Sequence, residues 1–120
     1  MRGKLFLIHW NPPEAEHMAR DLRAANWRVD VETENPARAR RRITERPPDA
    51  VVISLARAPI DGVETAFSLR STKGTNVPIV FLDGKEDTIK SAKARIPTAI
   101  FTTSGALQDT LAPYAKASWG

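Results

Sequence analysis

Apolar residues along this chain fall into short runs separated by segments of helical spacing, and the alternation of the two organises the rest. Three of the runs are continuous: Leu5 to Ile8, Val51 to Ile53 and Ile79 to Leu82. A strand covered by helices on both faces is apolar at every position, so these read as the central strands of a parallel sheet. A fourth segment, Arg28 to Glu32, alternates charged and apolar residues, which suits an edge strand with one wetter face. A fifth, Ala99 to Thr102, is short, fades into Thr and Ser, and belongs at the other edge.

Five helical segments lie between and after these strands. Glu14 to Ala25 sets Ala15, Met18, Ala19 and Leu22 at helical spacing, with Pro12 and Pro13 marking its start. Asn35-Pro36 reads as an N-cap with proline at the first helical position, and Pro47-Pro48 ends that second helix. Asp61 to Lys73 offers Val63, Ala66, Phe67 and Arg70 on one face and Gly74 as its stop. Asp87 to Ile96 places Ile89, Ala92 and Ile96 in register. Ser104 caps a last helix in which Leu107, Leu111 and Tyr114 recur, and Pro113 should kink or end it.

Strict alternation of strands and helices implies parallel pairing with right-handed crossovers. With the alternating and fading strands at the edges, the expected fold is α/β and flavodoxin-like: a doubly wound five-stranded parallel sheet of order 2-1-3-4-5, helices on both faces, in a single domain over 1–120. In such a sheet a site lies beyond the carboxyl ends of strands 1 and 3, where the winding reverses. That singles out His9, Trp10 and Asn11, then Ser54, Asp83, and Thr102 to Ser104.

The segment around the third strand is the most specific. Pro48-Asp49 precedes the apolar run, Ser54 ends it, and a loop containing Pro59 leads to Asp61-Gly62. This pattern resembles the receiver domains of two-component response regulators. With Pro12 and Pro78 as further anchors, the resemblance spans essentially the whole chain. The family's phosphoryl chemistry uses two acids after strand 1 that hold Mg²⁺, an acceptor Asp after strand 3, a hydroxyl after strand 4 and a Lys after strand 5. Here the acid pair falls on His9 and Trp10, the acceptor on Ser54, the hydroxyl on Asp83 and the lysine on Thr103. The aromatic usual in strand 5 falls on Ile100, and the loop proline lies one residue late. The resemblance thus implies a pseudo-receiver with a degenerate phosphoacceptor pocket, neither an enzyme nor a self-phosphorylating switch, with no cofactor and no metal. It would act in signal transduction by phosphorylation-independent protein–protein interaction.

Composition narrows the remaining classes. At 120 residues the chain can bury about 65% of the surface its unfolded form exposes, enough for a core without staples. The absence of cysteine excludes disulfides, thiolate metal sites and cysteine nucleophiles. The first apolar run is too short for a signal-peptide core or a membrane span, so a cytoplasmic protein with no membrane partner is expected. A net charge of +4 permits a polyanionic partner without demanding one. Arg38, Arg40, Arg41 and Arg42 crowd the second helix and offer a dock for an acidic partner, although a charge run is more commonly a solvated face. Neither a helix-turn-helix pattern nor interleaved aromatics favours nucleic acid. By resemblance, helix 4, strand 5 and helix 5 form the face for a signalling partner, an attached output domain or a homodimer, using Lys90, Lys93, Ile100, Leu107 and Tyr114.

Three further readings concern the mouth of the sheet. His9, Ser54 and Asp83 are the residue types of a hydrolytic triad, but strand 3 would put Ser54 between the other two and no G-x-S-x-G elbow surrounds it. A metal on His9, Asp83 and Asp61 lacks ligand spacing, and no nucleotide-binding glycine motif occurs. Trp10 either plugs the pocket or, with the Arg57 to Pro59 loop, closes a shallow small-ligand site, which would make the domain a sensor.

Overall fold

The three continuous apolar runs form the centre of one sheet in the computed structural model, which describes residues 2–71 and 76–115. The strands are β1 (Gly3–Ile8), β2 (Trp27–Glu32), β3 (Ala50–Ser54), β4 (Ile79–Leu82) and β5 (Ile100–Thr102). All pairings are parallel and the order is β2-β1-β3-β4-β5, as the patterning predicts. The helices are α1 (Pro12–Ala24), α2 (Pro36–Glu45), α3 (Pro59–Ser71), α4 (Glu86–Arg95) and α5 (Leu107–Leu111).

Two-residue periodicity in the strands splits the core into two layers. Phe6, Ile8, Val51, Ile53, Ile79 and Phe81 meet Ala39 and Ile43 of α2, Val63, Ala66 and Leu69 of α3, and Ala92 beside Ile96 at the end of α4. Leu5, Leu7, Val52, Val80 and Leu82 face the other way, onto Ala15, Ala19 and Leu22 of α1 and Leu107 and Leu111 of α5. Most of these side chains are fully buried, each worth about 2 kcal/mol of transfer free energy.

Local chemistry sets the element boundaries. The Asn11 and Asn35 side chains each accept an N–H bond of 3.0 Å, from Glu14 and Arg38, and a proline follows each cap. Both helices therefore begin at proline, and α1 starts two residues before the expected Glu14. Asp49 closes the sheet's lower edge: its Oδ2 accepts from Lys4 N–H at 2.8 Å and its own N–H donates to Lys4 O at 2.8 Å. Gly3 sits at φ +152, where a Cβ would come within 2.7 Å of that carboxylate oxygen. Gly62 lets α3 lie close on β3, since a Cβ there would meet Ile53 and Leu55 at 3.0 Å. Asp49 and Gly62 thus each have structural work of their own.

Three expectations need correction. Phe67 is not on the core face of α3: it is exposed beneath the Arg95 guanidinium, 4.3 Å from its ring centre, while Leu69 takes the core position. The last helix starts later than expected, because Ser104–Ala106 forms a 3-10 turn, and α5 spans only five residues, Leu107–Leu111; that it ends just before Pro113, within a second 3-10 turn at Ala112–Tyr114, is as expected. The outer face of β2 is not uniformly wet, since Glu32 is buried. The expected Lys73 and Gly74 end of the third helix lies outside the described residues.

Candidate functional site at the carboxyl end of the sheet

Strand phase decides where the residues after β1 go. Leu5 and Leu7 face α1, and His9 continues that side, while Trp10 continues the side of Phe6 and Ile8. His9 is only 3% exposed. Its Nδ1 accepts the Asn11 N–H at 3.2 Å, so in the neutral ring the hydrogen sits on Nε2. That Nε2 lies 3.4 Å from a Glu14 oxygen, and the other Glu14 oxygen accepts from Arg57 at 3.1 Å. Burial moves the His9 pKa below its ordinary 6.5 despite the attraction of Glu14, and the hydrogen bond from Arg57 lowers that of Glu14. The chain His9, Glu14, Arg57 ties the loop after β3 to the start of α1.

The other positions at the mouth are engaged in their own loops. Ser54 is 1% exposed, and its Oγ accepts the Ala56 N–H at 3.3 Å, a local bond typical of serine at a strand end. Asp83 adopts φ +56, in the left-handed region that non-glycine residues rarely occupy. That backbone breaks the strand's alternation and brings its carboxylate onto Ser104: Oδ1 accepts the Ser104 N–H at 2.9 Å and Oδ2 accepts the Ser104 hydroxyl. Thr103 is exposed and makes no side-chain cap for the turn that follows it. The hydrogen bonds of His9, Ser54 and Asp83 lead to different partners, so the three do not form a relay. Among the described residues no three His, Asp or Glu side chains converge as metal ligands. With His9 and Trp10 where the resemblance puts acids, the residues present do not fit a Mg²⁺ ion.

Trp10 does not line the open space at this end. Its ring packs against the α2, α3 and α4 layer, with the indole N–H buried and without a hydrogen-bond partner among the described residues. The cavity, of about 610 Å³, lies on the opposite side, between α1 and α5. Glu14, Met18 and Leu22 line it from α1, and Asp83, Ser104 and Leu107 from the other flank. His9 contributes to its wall, and neither Trp10 nor Ser54 does.

The arginine cluster on α2 is divided by an acid that sequence reading missed. Glu32 is 3% exposed and receives a bidentate bond from Arg38, Nε to Oε1 at 2.6 Å and Nη2 to Oε2 at 2.7 Å. It also accepts the N–H groups of Glu34 and Asn35, both at 3.1 Å. Arg38 above all, with these two amides, depresses the Glu32 pKa to about 2. Arg42 bonds to Val31 O at 3.0 Å and stacks 4.9 Å over the Phe6 ring. Arg38 and Arg42 are therefore internal clamps, whereas Arg40 and Arg41 line an open surface with Ala37, Thr44 and Glu45. The missed signal was phase: Glu32 pairs in register with Ile8 and shares its face toward α2.

On the expected interaction face, Leu107 is corrected to a core residue, 3% exposed, because it packs on the α1 side of the sheet. Ile100 and Tyr114 are half-buried against the same layer. The ring on the α4 side of β5 is Phe101 rather than Ile100; it stacks on Phe81 at 5.3 Å, and the Lys93 ammonium sits 5.4 Å from its centre. Lys90 is exposed.

No protein-family model matches the sequence, and no curated protein is similar to it. Solved structures are similar in fold. A putative response regulator from Chloroflexus aurantiacus J-10-fl superposes with a TM-score of 0.78 at 20% identity, covering 95% of this chain and 98% of that one. A sensor protein from Polaromonas sp. JS666 gives 0.77 at 20% identity over 95% and 96% of the two chains. The signal receiver domain of a modulated diguanylate cyclase from Desulfovibrio desulfuricans G20 gives 0.73 at 21% over 92% and 91%. At these identities the likeness is one of architecture: the chain has the flavodoxin-like fold of response-regulator receiver domains.

Proposed function

We propose that this domain works in signal transduction by binding another protein, without phosphorylation. The observation that carries the reading is the fate of the polar groups at the sheet's carboxyl end. Ser54 replaces the carboxylate acceptor and is held by its own loop, Asp83 is bound to Ser104, and His9 and Trp10 stand in place of the Mg²⁺-holding acids. A serine hydroxyl needs a base to attack phosphorus, and the imidazole at this end of the sheet, His9, has its Nδ1 occupied by the Asn11 N–H. The receiver-type fold supports a signalling role, and exposed Lys90 and Lys93 support α4 as part of the contact face.

Incubation with acetyl phosphate and Mg²⁺ should leave the intact mass unchanged. A stoichiometric phosphate adduct rejects the phosphorylation-independent reading. Lysine cross-linking of the tagged chain in its host, with the linked positions mapped, tests the contact face: links through Lys90 and Lys93 are expected, and links only elsewhere reject it. The cavity between α1 and α5 favours a second reading, in which the domain senses a small molecule.

A further inference from the structure

We infer that the cavity between α1 and α5 is a binding site for a small organic amine, an ammonium group on an apolar body. This rests on the sensor reading and is independent of the protein-binding one. At about 610 Å³ the space lies within the range of small-molecule sites. Its wall is mixed in the way such sites are: Pro13, Met18, Leu22 and Leu107 supply apolar surface, and Leu22 and Leu107 are buried and so held in place. The acidic groups on the wall are three carboxylates, Glu14, Asp21 and Asp83, with His17 beside them, and among the described residues no lysine or arginine lines it. In a chain of net charge +4 that is a local reversal of sign, and it selects a cation.

The three acids differ in what they have left to offer. Glu14 is bound by Arg57, and Asp21 lies 3.6 Å from His17 on the surface of α1. Among the described residues Asp83 is bound by the amide and hydroxyl of Ser104, neutral donors that do not cancel its negative charge, and it lies on the cavity wall. Its left-handed backbone holds it on this wall. The second independent group is His9. It is almost wholly buried, its Nδ1 is used by Asn11, and its Nε2–H faces the Glu14 carboxylate at 3.4 Å.

The test uses phenethylamine as the probe, with phenylacetate as its anionic counterpart, on the full 120-residue chain, read by amide chemical shifts. Phenethylamine should shift the amides of His9, Leu22, Asp83 and Leu107 saturably, and phenylacetate should not. D83N keeps a side chain that tolerates the left-handed backbone and an oxygen for the Ser104 amide, and should weaken amine binding about tenfold through loss of a charge-assisted bond. Q108W, at an exposed position on the rim, should abolish binding while leaving the remaining spectrum in place. Equal or tighter binding of phenylacetate in the cavity, or an unchanged affinity in D83N, overturns the amine assignment while the sensor reading stands. Shifts with MgCl₂ or ZnCl₂ but not the amine also overturn it. Failure of every probe to shift these amides at millimolar concentration overturns both.

Discussion

Two acids at the carboxyl end of the sheet, Glu32 at the end of β2 and Asp83 after β4, show how differently one edge of a fold can be used. Glu32 is closed off: two arginines from α2 approach it, two backbone amides donate to it, and its pKa falls to about 2. Asp83 holds one loop to another through a serine and keeps open space beside it. A charge whose hydrogen-bonding capacity is filled by its own chain is part of the scaffold, whatever its position relative to a family's reactive residues. A charge left partly unfilled at a cavity is where the chain can still meet something else.

The largest effect that would sharpen this contrast is loss of the closed acid. E32A removes the bidentate partner of Arg38 and leaves the amides of Glu34 and Asn35 without their acceptor, so unfolding free energy from urea titration should fall by about 3 kcal/mol. A loss below about 1 kcal/mol would mean that Glu32 is no more structural than a surface acid.

Acid sensitivity is a smaller effect of the same group. Its folded pKa, about 2, lies below the ordinary 4.5, so the unfolded chain takes up the proton first as pH falls. The stability that Glu32 contributes is therefore complete above about pH 4.5 and disappears as pH falls from 4.5 toward 2. His9, with its pKa lowered by burial, adds a separate loss that begins near 6.5 as the unfolded ring protonates. Urea midpoints measured from pH 7 to 2 should thus decline in two stages, and E32Q should flatten only the lower one. A lower stage equally steep in E32Q would assign the acid lability to other carboxylates.

How much of this was legible in the sequence follows from the same physics. The sheet order came through because burial on both faces forces Val51 to Ile53 and Ile79 to Leu82 to be apolar throughout, and no alternative element tolerates that with Pro and Gly so close. The proline-led helix starts came through because Asn11 and Asn35 are local signals. Glu32 did not, because a charged residue in an alternating edge strand ordinarily faces water, and only the placement of α2 over β2 covers it. Phe67 misled because helical spacing alone does not fix which of two adjacent stripes meets the sheet; Gly62, Ala66 and Leu69 take the close approach and turn Phe67 outward. The cavity was beyond reach from pattern. It depends on the separation of α1 and α5 and on a backbone reversal at Asp83, neither of which leaves a mark in hydrophobic periodicity.

The finest test of the contrast lies within α2 itself, where four arginines in one short helix divide between two roles. Arg38 and Arg42 belong to the closed region, spent on Glu32, Val31 O and the Phe6 ring. Arg40 and Arg41 face outward beside Thr44 and Glu45, where a guanidinium loses little by becoming a carboxylate in high dielectric. R40E combined with R41E should therefore leave stability within about 0.5 kcal/mol of wild type, while R38E combined with R42E should lose an amount comparable to E32A. If the outer pair cost as much as the inner one, the helix would be a single electrostatic unit. If neither pair mattered, Glu32 would be held by its backbone amides alone, and the closed acid would owe its low pKa to the turn after β2 rather than to the helix that covers it.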